Sequence, residues 1–366
     1  MNNMNRRSFI KQVSALGGAA AVASLGFPGI VTGKHQRKVG VALAGLGYYS
    51  TDELAPALQL TEHCELRGIV TGSPWKIPVW QEKYGIPDKN VYNYENLYTI
   101  ADNPDIDVVY IVLPNSLHMK YSVIAAEAGK HVWCEKPMAL TVDECEKIIG
   151  ACEKNRVKLT IGYRMQHEPN TREIIRFREE NRYGTIRSVE ASAGYYSRIA
   201  RREDSWKLQS AMGGGATYDM GVYPINAARY VTGEEPVSVS ARLESNRSQF
   251  DEVDETAWYE LTFPGGARAS LMTSMGENIN RLHVDTRDGW YGLQPFSTYS
   301  GISGETSDGV ILNKRIPNQQ ALQMDNDARA ILENSDVIVP GMDGLEDIRV
   351  VEAIFKAADS GEEVRI

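Results

Sequence analysis

Val39-Gly40-Val41-Ala42-Leu43-Ala44, running straight into Gly45-Leu46-Gly47-Tyr48-Tyr49-Ser50, is the stretch on which the fold turns. The first six residues are a short apolar run of the kind that makes a strand buried on both faces of a parallel sheet. The pattern after the glycines becomes helical, from Asp52 to Leu60. A strand, a glycine turn and a helix in that order give a Gly-x-Gly pattern its meaning. Gly45 permits the tight turn, and Gly47 lets the backbone approach a pyrophosphate seated on the helix N-terminus. The third position of the fingerprint is Ser50, small enough to keep helix and strand close.

The same alternation repeats downstream. Glu65–Val70 reads as a second strand, Ile77–Tyr84 as a helix, and Val108–Leu113 as a buried strand ending at Pro114-Asn115. Met119–Ala128 is a helix closed by Gly129, and His131–Cys134 is a strand leading into Glu135-Lys136-Pro137. Thr141–Lys154 is a helix, and Lys158–Gly162 the last strand of the series. Alternating strands and helices predict an α/β Rossmann domain, a doubly wound parallel sheet, over residues 34–162. Ligands of such sheets lie at the carboxyl ends of the strands, where Gly45, Thr71, Pro114 and Lys136 fall.

The loop after the second strand bears on cofactor choice. An NAD enzyme usually carries a carboxylate there for the ribose 2′-hydroxyl. This chain has Val70-Thr71-Gly72-Ser73-Pro74-Trp75-Lys76 and no carboxylate. Ser73 can donate to a 2′-phosphate and Lys76 can neutralise it, which favours NADP over NAD. The alternative is an ordinary loop with an exposed lysine.

From about Gly184 the rhythm changes. Ile186–Ala191, Val237–Leu243, Glu255–Phe263 and Ala267–Ser274 read as strands without intervening helices, with Pro264-Gly265-Gly266 as a hairpin turn. This predicts an α+β domain with a largely antiparallel open sheet over residues 163–340. Residues 283–320 are Gly/Ser-rich and show no clear element, while Asp347–Ser360 is helical within a C-terminal segment, 341–366.

The 366-residue chain has a net charge of -9, which argues against a nucleic-acid partner. Its cysteines, Cys64, Cys134, Cys145 and Cys152, form no CxxC pair and read as free buried thiols, and the six histidines show no metal-ligand spacing. Residues 1–33 read as an address. Asn5-Arg6-Arg7-Ser8-Phe9-Ile10-Lys11 followed by an Ala/Gly-rich apolar run resembles a twin-arginine export signal, placing the protein in the periplasm or otherwise outside the cytoplasm. Gly17, Gly18, Gly26 and Pro28 interrupt that run, so no stable membrane span is expected.

Four motifs together resemble one family. They are Gly45-Leu46-Gly47-Tyr48, Leu113-Pro114-Asn115-Ser116-Leu117-His118, Glu135-Lys136-Pro137, and the run Gly213-Gly214-Gly215-Ala216-Thr217-Tyr218-Asp219-Met220-Gly221-Val222-Tyr223. The chain from Lys38 to Ile366 is similar to the glucose-fructose oxidoreductase/inositol dehydrogenase family (Gfo/Idh/MocA type), on the side of its periplasmic glucose-fructose and aldose-aldose oxidoreductases. Tyr223 stands where most members carry histidine. The resemblance implies a homo-oligomer, dimer or tetramer, built on the open sheet, with the C-terminal helix packed back on the Rossmann domain. It also implies sugar substrates and a nicotinamide cofactor. The cofactor contacts expected are Gly45, Leu46, Gly47, Tyr48, Tyr49, Thr71, Ser73, Lys76, Leu113, Pro114, Asn115, His118, Glu135, Lys136 and Arg164. The substrate contacts expected are Lys136, Arg164, Trp206, Asp219 and Tyr223.

Oxidising a sugar hydroxyl requires a hydride acceptor, a base and a group to stabilise the developing alkoxide. Lys136 is the candidate for holding the reacting oxygen. Tyr223 is the candidate acid/base; a free tyrosine has a pKa of about 10 and needs a cation near it, which Lys136 would supply. Asp219, four residues before Tyr223, would share its helical face, orient the sugar and keep Lys136 charged. Each has a structural alternative: a turn lysine, a helix cap, a core aromatic. Arg164 fits the cofactor or substrate and equally a structural salt bridge. Trp206, beside Lys207, fits a wall for a sugar ring or the core. An exported enzyme meets no free nicotinamide pool, so tightly held NADP and a ping-pong cycle are expected, one aldose oxidised to a lactone and a second sugar reduced. A nicotinamide-dependent glycosidase and a non-catalytic sugar-binding protein are the other readings.

Overall fold

The computed structural model describes residues 37–197 and 205–366. The expected export signal lies outside the described residues. Six short parallel strands form the first sheet: β1 (Val39–Ala44), β2 (Cys64–Val70), β3 (Val91–Tyr92), β4 (Val108–Ile111), β5 (His131–Cys134) and β6 (Leu159–Ile161). Their order, β3-β2-β1-β4-β5-β6, is the doubly wound Rossmann order, with β1 and β4 adjacent where the winding reverses. β1 and β4 are buried at every residue, which is why their sequences are apolar throughout rather than alternating.

The helices of this half are α1 (Ala55–Leu58), α2 (Ile77–Tyr84), α3 (His118–Glu127) and α4 (Val142–Asn155). The helix expected from Asp52 instead opens as a π turn over Tyr49–Leu54, where the Ala55 N–H bonds to the Ser50 carbonyl five residues back. Pro56 has no N–H to continue an ordinary α ladder, and the wider turn leads the chain into it. α4 begins on Thr141, whose side chain accepts from the Glu144 N–H.

The second half contributes α5 (Pro169–Glu179), β7 (Ile186–Gly194), α6 (Val222–Thr232), β8 (Ser238–Glu244), β9 (Thr256–Thr262), β10 (Arg268–Ser274), β11 (Ile279–Thr286), β12 (Trp290–Leu293), β13 (Gly304–Thr306), β14 (Ile311–Leu312), α7 (Gln319–Leu332), α8 (Gly341–Ser360) and β15 (Val364–Arg365). Its nine strands run β14-β13-β12-β11-β7-β10-β9-β8-β15, antiparallel except for the β7–β10 pair. Helix α6 packs on β7 and β10, while residues such as Glu190, Glu260, Ser270 and Arg281 remain exposed on their strands.

The stretch 283–320 that shows no pattern in sequence is therefore the end of β11 and the strands β12–β14. Their short length and interrupting Gly and Ser residues hide the period-two signal. Helix α7, also absent from the sequence reading and inside the expected 163–340 domain, packs on the Rossmann sheet. Ala321, Met324 and Ala328 share a buried cluster with Val39, Val41 and Leu66. The Asp325 carboxylate accepts from the backbone N–H groups of Glu62 and His63 at 2.9 and 2.8 Å. α8 packs on α4 and β6 and also on β8, so it touches both halves. Arg229 of α6 ties it down through Asp347 at 2.6 Å, a buried pair.

α7 carries a buried carboxylate that makes no salt bridge among the described residues. Asp327 is 1% exposed and accepts a hydrogen bond from Thr160 Oγ1 at 3.1 Å. Burial pushes its carboxyl from 3.8 up to about 8, against hydrogen bonds from Thr160 and Gln323 that lower it. The folded chain thus holds this proton more tightly than the unfolded one. The associated stability is complete at low pH and is lost as pH rises toward about 8, an effect on the order of a few kcal/mol. Asp327→Asn cannot ionise and should flatten that decline. Melting curves of parent and variant should diverge in the variant's favour between about pH 5 and pH 8; a constant offset would reject the effect.

Candidate active site

The glycine turn and the strand ends fit a dinucleotide. Gly45 has φ +99°, and a Cβ there would lie 2.2 Å from the Val112 carbonyl oxygen, so only glycine can pass between β1 and β4. Gly47 is exposed, with no atom within 4 Å of a built Cβ, which leaves its backbone open to a ligand. Ser50 is fully buried and its hydroxyl donates to the Gly45 carbonyl at 2.5 Å, closing the turn. Lys76 reaches back to this turn, its Nζ donating to the Leu46 carbonyl at 2.6 Å. Thr71 is buried, and its hydroxyl accepts from the Ser73 N–H at 3.0 Å. Tyr48 is 65% exposed, while Tyr49 turns inward, its ring 5.8 Å from that of Tyr299.

Two of the expected cofactor residues also tie neighbouring loops together. His118 is buried, with Nδ1 2.8 Å from the Pro137 carbonyl and Nε2 2.9 Å from that of Leu113. Its ring lies between the two loops after β4 and β5, and since burial lowers its pKa and favours the neutral ring, one nitrogen donates to one of these carbonyls. Asn115 donates to the Gly213 carbonyl at 2.8 Å and joins the strand-end loop to the glycine triplet. Pro114 and Leu113 remain partly exposed at the strand end.

Glu135, at the end of β5, is buried. Its Oε1 accepts from Tyr110 Oη at 2.7 Å, and Tyr110 in turn accepts from Gln323 of α7 at 3.3 Å. Burial raises the Glu135 pKa, opposed by Tyr110, Lys136 and Arg164. The Lys136–Pro137 peptide is cis. From this turn Lys136 Nζ crosses the interface between the halves, donates to the Asp219 carbonyl at 2.6 Å and lies 4.6 Å from the centroid of the Tyr223 ring.

The glycine triplet explains how Asp219 is placed. Gly213 and Gly215 have φ +73° and +96°. A Cβ on Gly214 would lie 2.4 Å from the Lys207 carbonyl, and one on Gly215 2.3 Å from Asp254 Oδ1. Asp254 accepts from the Thr217 N–H and hydroxyl at 2.8 and 2.7 Å, anchoring the segment that bears Asp219. That segment is a π turn, Thr217–Gly221, leading into α6. The wider turn breaks the four-residue register expected to stack Asp219 and Tyr223 on one face.

Lys136, Asp219, Tyr223 and Arg164 are brought together, with different pairings from those expected. The carboxylate of Asp219 lies 4.0 Å from Lys136 Nζ but 2.8 Å from Lys207 Nζ, and it accepts from Tyr195 Oη at 2.8 Å. Burial pushes the Asp219 carboxyl up, yet the charges of Lys207 and then Lys136 outweigh it and hold the group down at about 2. The cation that donates to Tyr223 Oη is Arg164, from NH1 at 3.1 Å; Lys136 sits over the ring face instead. Arg164 is 1% exposed and makes no salt bridge among the described residues. It donates to the Ser297 carbonyl and stacks on Tyr299 at 4.5 Å. The salt-bridge alternative for Arg164 is thus replaced by a cradle of hydroxyl, carbonyl and aromatic faces. Trp206 is partly buried, 5.9 Å from Lys207 Nζ.

Tyr195, Ser297 and Tyr299 were not singled out in the sequence. Tyr195 directly follows β7, which runs three residues beyond the Ala191 expected from sequence, whereas Ser297 and Tyr299 lie in the unpatterned stretch and carry no local signal. Among the described residues no group of three or more His, Cys, Asp or Glu side chains is placed to hold a metal ion.

Residues 39–163 match the model of an oxidoreductase family with an NAD-binding Rossmann fold, and residues 171–291 match that of the GFO/IDH/MocA C-terminal domain. The crystal structure of aldose-aldose oxidoreductase from Caulobacter crescentus, complexed with glycerol, is 40% identical with a TM-score of 0.86, over 90% of this chain and 100% of that one. D-Xylose 1-dehydrogenase [NADP(+)] of Haloarcula marismortui is 28% identical over 90% of this chain and 93% of its own length. Scyllo-inositol dehydrogenase of Lactobacillus casei shares the fold at 20% identity, with a TM-score of 0.75 over 90% of this chain and 98% of that one.

The glycines supply a contrast that can be measured. Gly215→Ala forces a methyl group against Asp254 at positive φ and should lower Tm by several degrees, with loss of turnover. Gly47→Ala meets no protein atom, so Tm of the nucleotide-free protein should be unchanged while nucleotide retention falls. Equal Tm losses in both variants would contradict the geometry.

Proposed function

The chain belongs to the GFO/IDH/MocA oxidoreductase family, and from that premise we propose that it oxidises an aldose to a lactone with tightly held NADP and reduces a second sugar in a ping-pong cycle. The observation that carries this reading is the meeting of Lys136, Asp219, Tyr223 and Arg164 at the carboxyl ends of the Rossmann strands. The names of the 40% and 28% identical relatives, an aldose-aldose oxidoreductase and an NADP-dependent xylose dehydrogenase, support the substrate class. NADP is favoured by a loop, 71–76, that has no carboxylate and whose Lys76 folds over the glycine turn.

A bound nicotinamide nucleotide would supply the hydride acceptor. Gly45, Gly47, Thr71, Ser73 and Lys76 hold it at the turn and the adjoining loop. Tyr223 Oη takes the proton of the sugar hydroxyl and returns it in the reductive half. The Arg164 guanidinium, donating to that oxygen, is placed to stabilise negative charge on it. Lys136 Nζ, fixed on the Asp219 carbonyl, holds the reacting oxygen and offsets alkoxide charge in a cleft where such a charge is poorly solvated. Asp219 lies between the Lys136 and Lys207 ammonium groups and balances their charge.

We place the protein outside the cytoplasm, on the strength of residues 5–11, and expect it to be a homo-oligomer built on the exposed face of the nine-stranded sheet. Changing Arg6 and Arg7 to Lys should keep it inside the cell; undiminished appearance in the periplasm would reject the export route.

Mass spectrometry of nucleotide released on denaturation should find NADP; NAD alone would reject the cofactor assignment. Tyr223→Phe keeps the ring and should lower turnover by about 10²–10⁴-fold. Lys136→Met should cost at least as much, with nucleotide still bound in both. The double variant should be little worse than the poorer single one, since the groups act together. Near-normal turnover in both single variants would overturn the site.

A further inference from the structure

Two lysines hang on one residue. Lys136 Nζ holds the Asp219 carbonyl, whereas Lys207 Nζ donates to both carboxylate oxygens, at 3.0 and 2.8 Å, and to Tyr195 Oη at 3.2 Å. Tyr195 Oη itself donates to Asp219 Oδ2 at 2.8 Å. The site therefore holds two ammonium–phenol pairs, Lys136 with Tyr223 and Lys207 with Tyr195, bridged by Asp219. The chemistry derived above uses only the first.

The second pair is built as firmly as the first. The Gly215 N–H donates to the Lys207 carbonyl at 3.0 Å, and Gly214 admits that carbonyl at a distance no side chain would allow. The Lys207 side chain is nonetheless 29% exposed, against 11% for Asp219. An ammonium has three donors. Lys207 Nζ directs them at the two carboxylate oxygens and Tyr195 Oη, while Tyr195 Oη, donating once to Asp219 and accepting once from Lys207, keeps an acceptor lone pair for a further hydroxyl. A cation and a phenol on the carboxylate next to the reacting oxygen match a second hydroxyl on the neighbouring carbon.

We propose that Lys207 and Tyr195 read the hydroxyl adjacent to the reacting carbon, so that the enzyme selects sugars presenting a vicinal diol. The proposal rests on the sugar-oxidising reading of the same cleft. The holoenzyme is mixed with D-glucose and D-galactose and with their 2-deoxy analogues, and reduction of the bound nucleotide is followed by absorbance. In the parent, removal of the 2-hydroxyl should lower kcat/KM by about 10- to 150-fold, the worth of a hydrogen bond to a charged group. Lys207→Met should lower kcat/KM for the full sugars at least about 10-fold more than for the deoxy analogues, because the two deletions remove the same contact. Tyr195→Phe, nearly isosteric, should show the same non-additivity in smaller measure. Released nucleotide, quantified for each variant, reports that the Rossmann half is intact. Equal losses on full and deoxy sugars, in both variants, would overturn the proposal, as would a parent indifferent to the 2-hydroxyl. A parent inert toward all four sugars would instead count against the aldose reading itself.

Discussion

The cleft depends on keeping one carboxylate, Asp219, out of water and ionised. It is 8% exposed, and burial alone would favour its neutral form. Two ammonium groups and a phenol prevent that, and each arrives from a different part of the chain: Lys136 from the end of β5, Tyr195 from the end of β7, Lys207 from the segment before the glycine triplet. A charge so held is useful because it is costly to leave unpaired. Displacing any one of the three segments removes part of that compensation, and Lys136, bonded to the Asp219 carbonyl from the Rossmann side, links this cluster to the other half of the molecule.

The same economy of placement runs through the backbone. The triplet Gly213-Gly214-Gly215 brings Asn115, Lys207 and Asp254 to within contact of a main chain that carries no side chains of its own. Two π turns occur at the two places where a helix begins at the cleft, Tyr49–Leu54 after the nucleotide turn and Thr217–Gly221 before α6. Each rotates the side chains that follow out of ordinary helical register. At the second of them, Asp219 directs its carboxylate to Lys207 and its carbonyl to Lys136 rather than sharing a face with Tyr223.

Most of the Rossmann half was legible in the sequence because its signals are local. Val39–Ala44 and His131–Cys134 carry their burial in composition, and Ile77–Tyr84 carries its ends in Pro78 and Gly85. The second sheet was legible where strands are long enough to alternate, as in β9 and β10, and not in β12–β14, which have two to four residues each. Helix α7 escaped because polar residues share its buried surface with Ala321, Met324 and Ala328. Gln319, Gln320, Gln323 and Asp327 are all 2% exposed or less, so a search for an apolar stripe passes over it. In the site, Lys136, Asp219 and Tyr223 could be named from motifs, but which cation meets which oxygen could not. Arg164 is 59 positions from Tyr223 in sequence and Lys207 is 12 from Asp219, and no periodicity relates residues brought together by tertiary packing.

That polar part of α7 shows how the two halves share one site without a flexible seam. Its Gln323 donates to Tyr110, Tyr110 donates to Glu135, and Glu135 Oε2 accepts from the Lys136 N–H at 3.3 Å. Because Tyr110 already accepts from Gln323, its own proton is directed at the carboxylate, and Glu135 is held as an acceptor. A helix late in the chain thus reaches beneath the sheet and orients the turn that presents Lys136, while α8, gripped by Arg229 through Asp347, packs against both halves. Hydrophobic burial alone would place these elements within a range of closely similar packings. The buried polar contacts narrow that range, because a small slip would leave Gln323, Glu135 or Asp347 without a partner at a cost comparable with the stabilisation gained elsewhere. The precision required at the Lys136 ammonium is therefore supplied from behind the sheet, by residues that never meet a substrate.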